Sequence, residues 1–238
     1  MSHNSYFQFK QFRVGQNHSA MRVGTDGVLL GAWTEVKDAV SILDIGTGTG
    51  VIALMLAQRS TAMIDAIDIE KGAIIDASTN FSTSPWSGRL ESKQLSLKNF
   101  TEQTSKKYDC IVCNPPFFQN AVHSKEEART LARHNHSLTF YELANSAAKL
   151  LSCEGRFNVI LPAEAEKEFQ IVAANFRLFT SRVTRVKPKP SRPVKRVLME
   201  FRLDASERFE DELTIETETH HEYTPEFIRL VKSFYLNF

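Results

Sequence analysis

A short apolar run ends in Leu43-Asp44-Ile45-Gly46-Thr47-Gly48-Thr49-Gly50, and apolar residues at helical spacing (Ile52, Leu54, Met55, Leu56) follow at once. No other feature constrains the fold as much. Glycines permit tight, partly left-handed turns and let the backbone come close to a ligand. Downstream, strand and helix signals alternate, with strands at 41–45, 63–69, 90–97, 108–113 and 156–161 and helices at 51–59, 71–81, 138–151 and 163–175. That rhythm predicts an α/β fold, a mostly parallel sheet with helices on both faces. Two further strands are expected at 178–186 and 194–203, joined by the stiff basic turn Lys187-Pro188-Lys189-Pro190-Ser191-Arg192-Pro193. A hairpin and a helix form an N-terminal extension at 1–35. The core spans 36–203, and 204–238 is an acidic strand and helix segment whose helix is expected at 223–238. At 238 residues these parts read as one domain.

Such a chain buries enough surface to need neither disulfides nor a structural metal. No signal peptide is evident in the first ten residues and no apolar run reaches the ~20 residues of a membrane span, so a cytoplasmic location is expected. Cys110-Ile111-Val112-Cys113 has the spacing of a zinc or redox pair. It lies on an expected strand, however, where residues three apart face opposite sides of the sheet, and nothing nearby completes four metal ligands. Both are read as packed core cysteines.

The formal net charge is +1. It conceals a local +7 over 182–202 and −6 over 203–238. The basic stretch is either a solvated face or a footprint for a phosphate backbone. The acidic segment either folds back over it or packs on the core.

Ligands of open α/β sheets sit at the carboxyl ends of the strands, near the point where strand order reverses. The third glycine of Gly46-Thr47-Gly48-Thr49-Gly50 comes one residue too early for a dinucleotide fingerprint. Asp44 would crowd a pyrophosphate, which argues for a ligand with a positive group. Asp68, about twenty residues past the loop, is placed to hold the two ribose hydroxyls of a nucleoside; alone it would read equally well as a helix N-cap. Ile69 would pack against the adenine. In Asn114-Pro115-Pro116-Phe117, at the end of the next strand, two prolines stiffen the loop and leave its carbonyls free to accept hydrogen bonds.

From 40 to about 202 the chain resembles the class I S-adenosylmethionine-dependent methyltransferases. The resemblance implies a Rossmann-like, seven-stranded sheet and S-adenosylmethionine as cofactor. The methionine part would be held by Gly46, Gly48 and neighbours (Thr47, Gly50), and the ribose by Asp68. No metal is required. Where many relatives place an acid for the adenine amine, Gln94-Leu95-Ser96-Leu97 offers Ser96. Asn114-Pro-Pro-Phe117 is similar to the signature of enzymes that methylate planar nitrogens such as adenine N6. The Asn114 side chain and the Pro115 carbonyl would each accept one N–H of the amine, and Phe117 would stack on the base.

The opening Phe7-x-Phe9, Gln11, Val14 and Met21-x-Val23-Gly24-Thr25-Asp26-Gly27-Val28-Leu29-Leu30-Gly31-Ala32-Trp33, with Asn114-Pro-Pro-Phe-Phe118 and Ala132-Arg133-His134, is similar to the bacterial tRNA(Val) adenine-N6 methyltransferases that modify adenine 37. This implies tRNA as partner, with Lys10, Arg13, Arg22 and the turn residues Lys187, Lys189, Arg192, Lys195 and Arg196 holding the anticodon stem-loop by its phosphates. Thr25 and Asp26 would sit over the cofactor as a lid. Arg133 and His134 either meet phosphates or cap the helix that follows. Oligomeric state is not legible, and a monomer is compatible with it. Protein-glutamine and guanine-N2 methyltransferases share the Asn-Pro-Pro chemistry but bring larger N-terminal domains. A non-catalytic RNA-binding protein would not need the stiffened amide acceptor.

Overall fold

The computed structural model describes residues 5–116, 138–205 and 207–238. An antiparallel hairpin, β1 (Tyr6–Gln8) and β2 (Arg13–Gly15), leads into α1 (Thr25–Trp33). Then follow β3 (Ser41–Ile45), α2 (Val51–Arg59), β4 (Met63–Asp68), α3 (Lys71–Ser82), β5 (Leu90–Gln94), α4 (Leu97–Gln103) and β6 (Tyr108–Cys113). Beyond the undescribed residues come α5 (Phe140–Leu150), β7 (Leu151–Pro162), α6 (Glu166–Ala174), β8 (Phe179–Lys187), β9 (Arg196–Arg202), β10 (Phe209–Thr214) and α7 (Pro225–Val231).

Apart from the small β1–β2 hairpin, the strands form one sheet in the order β10-β8-β9-β7-β6-β3-β4-β5, with β9 running against the rest. Strand order reverses at β3, which pairs with β4 on one side and β6 on the other. The turns leaving β3 and β6 therefore flank the crevice where ligands of such sheets bind.

The sheet has eight strands rather than the expected seven, because β10 adds in parallel outside β8. Its sequence, Phe-Glu-Asp-Glu-Leu-Thr, buries only Leu213 and so lacks an alternating apolar signal. The strand expected over 90–97 stops at Gln94, and Ser96 caps a helix there by accepting the Asn99 N–H at 3.2 Å. The C-terminal helix is confined to Pro225–Val231, since proline fits the first helical turn and Thr224 caps it.

Both faces of the sheet are packed. Cys110 and Val112 of β6 join the cluster built with α1 and α2, whereas Tyr108, Ile111 and Cys113 join the cluster that holds Leu143, Ala147 and Phe169. The two cysteines thus face opposite sides, as the strand period demands. Burial pushes both thiols well above their ordinary range, which leaves them inert.

The ends of the chain are bound together. Phe9 stacks on Phe12 with centroids 4.6 Å apart and on Tyr235 at 6.0 Å, and the Lys10 N–H donates to the Phe234 carbonyl at 2.8 Å. The acidic segment folds back along the basic one. Glu210 meets Arg185 and Glu212 meets Lys187, each at 2.7 Å, while Glu216 lies 3.7 Å from Lys189. Glu218 accepts the Ser191 N–H at 2.7 Å. Among the described residues no helix is long and apolar enough to cross a membrane.

Two residues one turn apart on α3 fasten the N-terminal extension to this frame. Asn80 exchanges hydrogen bonds with the Gly15 backbone at 2.8 and 2.9 Å and donates to the Thr49 carbonyl at 2.8 Å. Asp76, buried at 4% exposure, accepts the His18 and Ser19 N–H groups, the Ser19 hydroxyl and the His18 ring. Burial raises its pKa, but these hydrogen bonds outweigh burial and hold it below the ordinary 3.8. Its stabilisation is therefore present above that pH and lost below it. Asp76→Ala should cost about 1–2 kcal/mol at pH 7 by leaving part-buried donors unpaired. Urea denaturation should show the gap between the two proteins narrowing as pH falls towards 3.

Candidate active site

Each glycine of the loop after β3 has a positive φ: 69° at Gly46, 54° at Gly48 and 80° at Gly50. A side chain at Gly50 would meet the Phe81 ring at 2.5 Å, so that glycine is required by packing as well as by φ. At Gly46 and Gly48 a Cβ would enter open space. Those two therefore leave their backbone bare towards a cleft.

The loop is closed from the β4 side. Gly46 and Thr47 donate to the Ile67 carbonyl at 2.9 and 3.0 Å, and Gly48 donates to Asp68 Oδ2 at 2.9 Å. Asp68 Oδ1 accepts the Glu70 N–H at 2.9 Å, so Asp68 is not the side-chain cap of α3. Each oxygen keeps a further lone pair for a hydroxyl. Ile69 beside it is 43% exposed, an apolar surface at the open rim.

Asp44 lies beneath the loop, fully buried. One carboxylate oxygen accepts the Thr47 hydroxyl at 2.7 Å, and the other has no hydrogen-bond partner. Burial, opposed by Thr47 and a backbone N–H and reinforced by nearby Asp68, pushes its pKa up to about 7. A buried acceptor without a donor is costly; a cationic amine entering the cleft would satisfy it. The bare glycine backbone, the Asp44 oxygen and the Asp68 carboxylate together fit the amino-acid and ribose parts of S-adenosylmethionine.

Asn114 is brought beside this loop by register. Ile45 is the Cα partner of Cys113, so Gly46 and Asn114 leave adjacent strands together. Asn114 is half-buried, Pro115 buried and Pro116 exposed. The Asn114 side chain has no hydrogen bond to another described residue. Phe117, Arg133 and His134 lie outside the described residues.

The remaining expected residues disperse. Ser96 uses its oxygen to cap α4, leaving its O–H to donate. Thr25 and Asp26 open α1, whose Gly27 lies against Val51 at the start of α2, next to the glycine loop. Asp26 accepts Arg196 Nε at 2.8 Å across the top of the sheet, a coupling the sequence did not reveal. Among the expected RNA contacts, Lys10 donates to the Lys232 and Phe238 carbonyls at 2.6 Å each, and Arg13 lies over Tyr6 and on Gln8. Lys187 and Lys189 meet the acids of the tail. Arg22, Arg192 and Lys195 are exposed. Sequence reasoning missed Asn80, which ties the carbonyl of Thr49 to the hairpin, because its partners lie 31 and 65 residues away.

The methyltransferase small domain family matches residues 19–180. A tRNA1(Val) (adenine(37)-N6)-methyltransferase of Phocaeicola vulgatus is 46% identical over 98% of this chain and 99% of the relative. One of Trichodesmium erythraeum is 47% identical over 98% of both. Among solved structures, a predicted O-methyltransferase from Agrobacterium tumefaciens superposes with a TM-score of 0.69 at 19% identity, over 88% of this chain and 96% of the other. A ribosomal protein L11 methylase from Lactobacillus delbrueckii subsp. bulgaricus gives 0.51 at 16%, over 76% and 77%. These two likenesses carry the fold alone. The chain belongs to the tRNA1(Val) (adenine(37)-N6)-methyltransferase family.

The raised pKa of Asp44 sets a pH dependence. The folded protein keeps a proton that the unfolded chain has lost above 3.8, so this group costs the unliganded fold stability as pH rises towards 7. A cation pairs only with the ionised form. Affinity for S-adenosylmethionine should be greatest between pH 7 and about 8, where Asp44 is ionised and an α-amino group is still charged, and fall towards about tenfold per unit below pH 7, with up to one proton released on binding near pH 6.5. Calorimetry in buffers of different ionisation enthalpy reads that proton. Asp44→Asn should bind more weakly and lose the pH slope; a flat wild-type profile would contradict the pairing.

Proposed function

We propose that this protein methylates N6 of an adenine in tRNA with S-adenosylmethionine as methyl donor, the target being adenine 37 of tRNA1(Val), and that Asn114 and Pro115 orient the amine. The activity and target carried by the names of its full-length relatives support the reading. The observation that carries the residue roles is the placement of Asn114 beside the glycine loop with its side chain free of other described partners.

The chemistry explains why an amide at this position serves. The lone pair of an adenine amine is delocalised into the ring, so the nitrogen is a poor nucleophile. The Asn114 side-chain oxygen accepts one N–H and the Pro115 carbonyl the other. Two acceptors out of the ring plane draw the nitrogen towards a pyramidal geometry and turn its lone pair to the cleft. Gly46 and Gly48 would hold S-adenosylmethionine, which when bound would supply a methyl group on a positively charged sulfur. Transfer of that methyl to the amine would leave the S–C electron pair on sulfur and a surplus N–H proton for water, and the chain's own part is to present the nitrogen lone pair to the cleft through Asn114 and Pro115. A carboxamide is not a base at neutral pH, so Asn114 acts by orientation and electrostatics. Pro116, fixed in φ and without an N–H, keeps the loop from folding into a competing hydrogen bond.

The acceptor adenine must leave the loop stack to reach Asn114, as bases do in enzymes that modify them. Cations around the crevice would hold the RNA backbone during this step. Arg192 and Lys195 are the better placed, because the acids of 210–216 already neutralise Lys187 and Lys189.

Labelled methyl from S-adenosylmethionine should enter unmodified tRNA and be recovered as N6-methyladenosine. Asn114→Ala should lower turnover about 100-fold, the cost of losing one oriented polar contact in the transition state, while affinity for S-adenosylmethionine stays within about threefold. Label in guanine N2, or an Asn114→Ala enzyme as fast as wild type, would overturn the assignment.

A further inference from the structure

A cavity of about 360 Å³ opens between the first turn of α1 and the turn joining β8 and β9. It falls in the range of small-molecule sites, about 300–1,000 Å³. Its floor is apolar, formed by Leu29, Val186 and Ile215, and its rim carries Asp26, Lys195 and Arg196. The Asp26–Arg196 pair at 2.8 Å fixes the guanidinium at this rim. Lys195 differs from its neighbours in the basic turn. Lys187 and Lys189 face carboxylates, whereas the Lys195 ammonium forms no ion pair among the described residues. Its backbone alone is held, by Val186 and Ala163.

The cavity lies beside the acceptor site without being part of it. Arg196 is the Cα partner of Pro162, three residues beyond Val159, which is the partner of Cys113. With strands about 4.8 Å apart and about 3.3 Å per residue, the rim stands roughly 14 Å from the end of β6. It is on the α1 side, where Gly27 meets Val51. Single-stranded RNA is gripped by stacking bases on aromatic rings or guanidinium planes while cations meet the phosphates; here the Arg196 guanidinium plane and the apolar floor would take a base face and Lys195 its phosphate.

We infer that this cavity is a second nucleotide subsite, which takes a base next to the acceptor adenine while Lys195 holds its phosphate. The inference rests on the RNA-methylation reading above. The chain would then grip the splayed loop at two points, one at Asn114 and one at Ile215. Arg196, pinned by Asp26, walls the subsite on the α1 side. Flipping the acceptor would thus be coupled to docking its neighbour.

The test uses the full-length protein and two anticodon stem-loop RNAs in which a nucleotide just 5′ or just 3′ of the acceptor adenine is abasic. With wild type, one of these should raise KM about tenfold relative to the intact stem-loop, the effect of losing one stacked base. Ile215→Trp, which fills the floor, should raise KM for the intact RNA similarly, and the same abasic RNA should then cost it little more. Lys195→Glu, an exposed substitution that leaves folding untouched, should raise KM and reduce its salt dependence. Additive effects of Ile215→Trp and the missing base would overturn the subsite. A variant that loses affinity for S-adenosylmethionine measured without RNA would assign the cavity to the cofactor, and one that loses kcat rather than KM would assign it to the acceptor base. A wild-type protein that methylates no RNA would instead overturn the parent reading, and this one with it.

Discussion

A buried carboxylate with one oxygen unpaired is the constraint around which the rest of the site is arranged. Asp44 sits where strand order reverses, fully enclosed, its pKa pushed up to about 7 by burial. An isolated fold would gain from removing such a group. Its retention makes sense when a cation arrives to pair with it. The glycines above it need left-handed turns, Asp68 locks the loop from the neighbouring strand, and Asn80 ties Thr49 to the N-terminal hairpin. The cleft is preorganised because three separate elements hold one loop.

The same switch point would let one sheet serve two ligands. Neighbouring parallel strands end together, so the loops after β3 and β6 emerge side by side, one with bare backbone and one with free acceptors. No motion of the sheet is needed to bring Asn114 to the glycine loop, since the Ile45–Cys113 register does so. The basic and acidic runs are a different matter. They neutralise each other in part, since Arg185, Lys187 and Lys189 meet Glu210, Glu212 and Glu216, while Arg192 and Lys195 stay exposed. The tail thereby selects which part of the basic turn remains available to an anionic partner.

Much of this was legible in the chain. The alternating pattern from 41 to 161 gave the parallel sheet, and strand spacing alone sent Cys110 and Cys113 to opposite faces. The glycine loop, Asp68 and Asn114-Pro115-Pro116 were all legible as candidate site residues, and the register places Asn114 beside the loop. Where the reading fell short, the local signal was overridden. Ser96, expected as a ligand contact where many relatives place an acid, also caps the helix at Leu97 and keeps its O–H to donate, a double use the sequence did not show. The acidic segment was expected to hold a strand without a place in the sheet, and β10, with four polar residues, one phenylalanine and one leucine, joins it because the edge of β8 supplies the hydrogen bonds. Lys10, expected as a phosphate contact, donates to the carbonyls of Lys232 and Phe238, a tertiary contact the sequence did not show.

Sequence by itself determined the local geometry: which stretches are strands, where the backbone must turn left-handed, and which loop is stiff with its acceptors free. These follow from residue chemistry acting over a few neighbours. Tertiary structure alone decided the pairings across long separations, such as Asp26 with Arg196, Asn80 with Gly15 and Thr49, and the acidic tail with the basic turn. Those depend on which surfaces the packed core brings into contact, and no local preference encodes the choice.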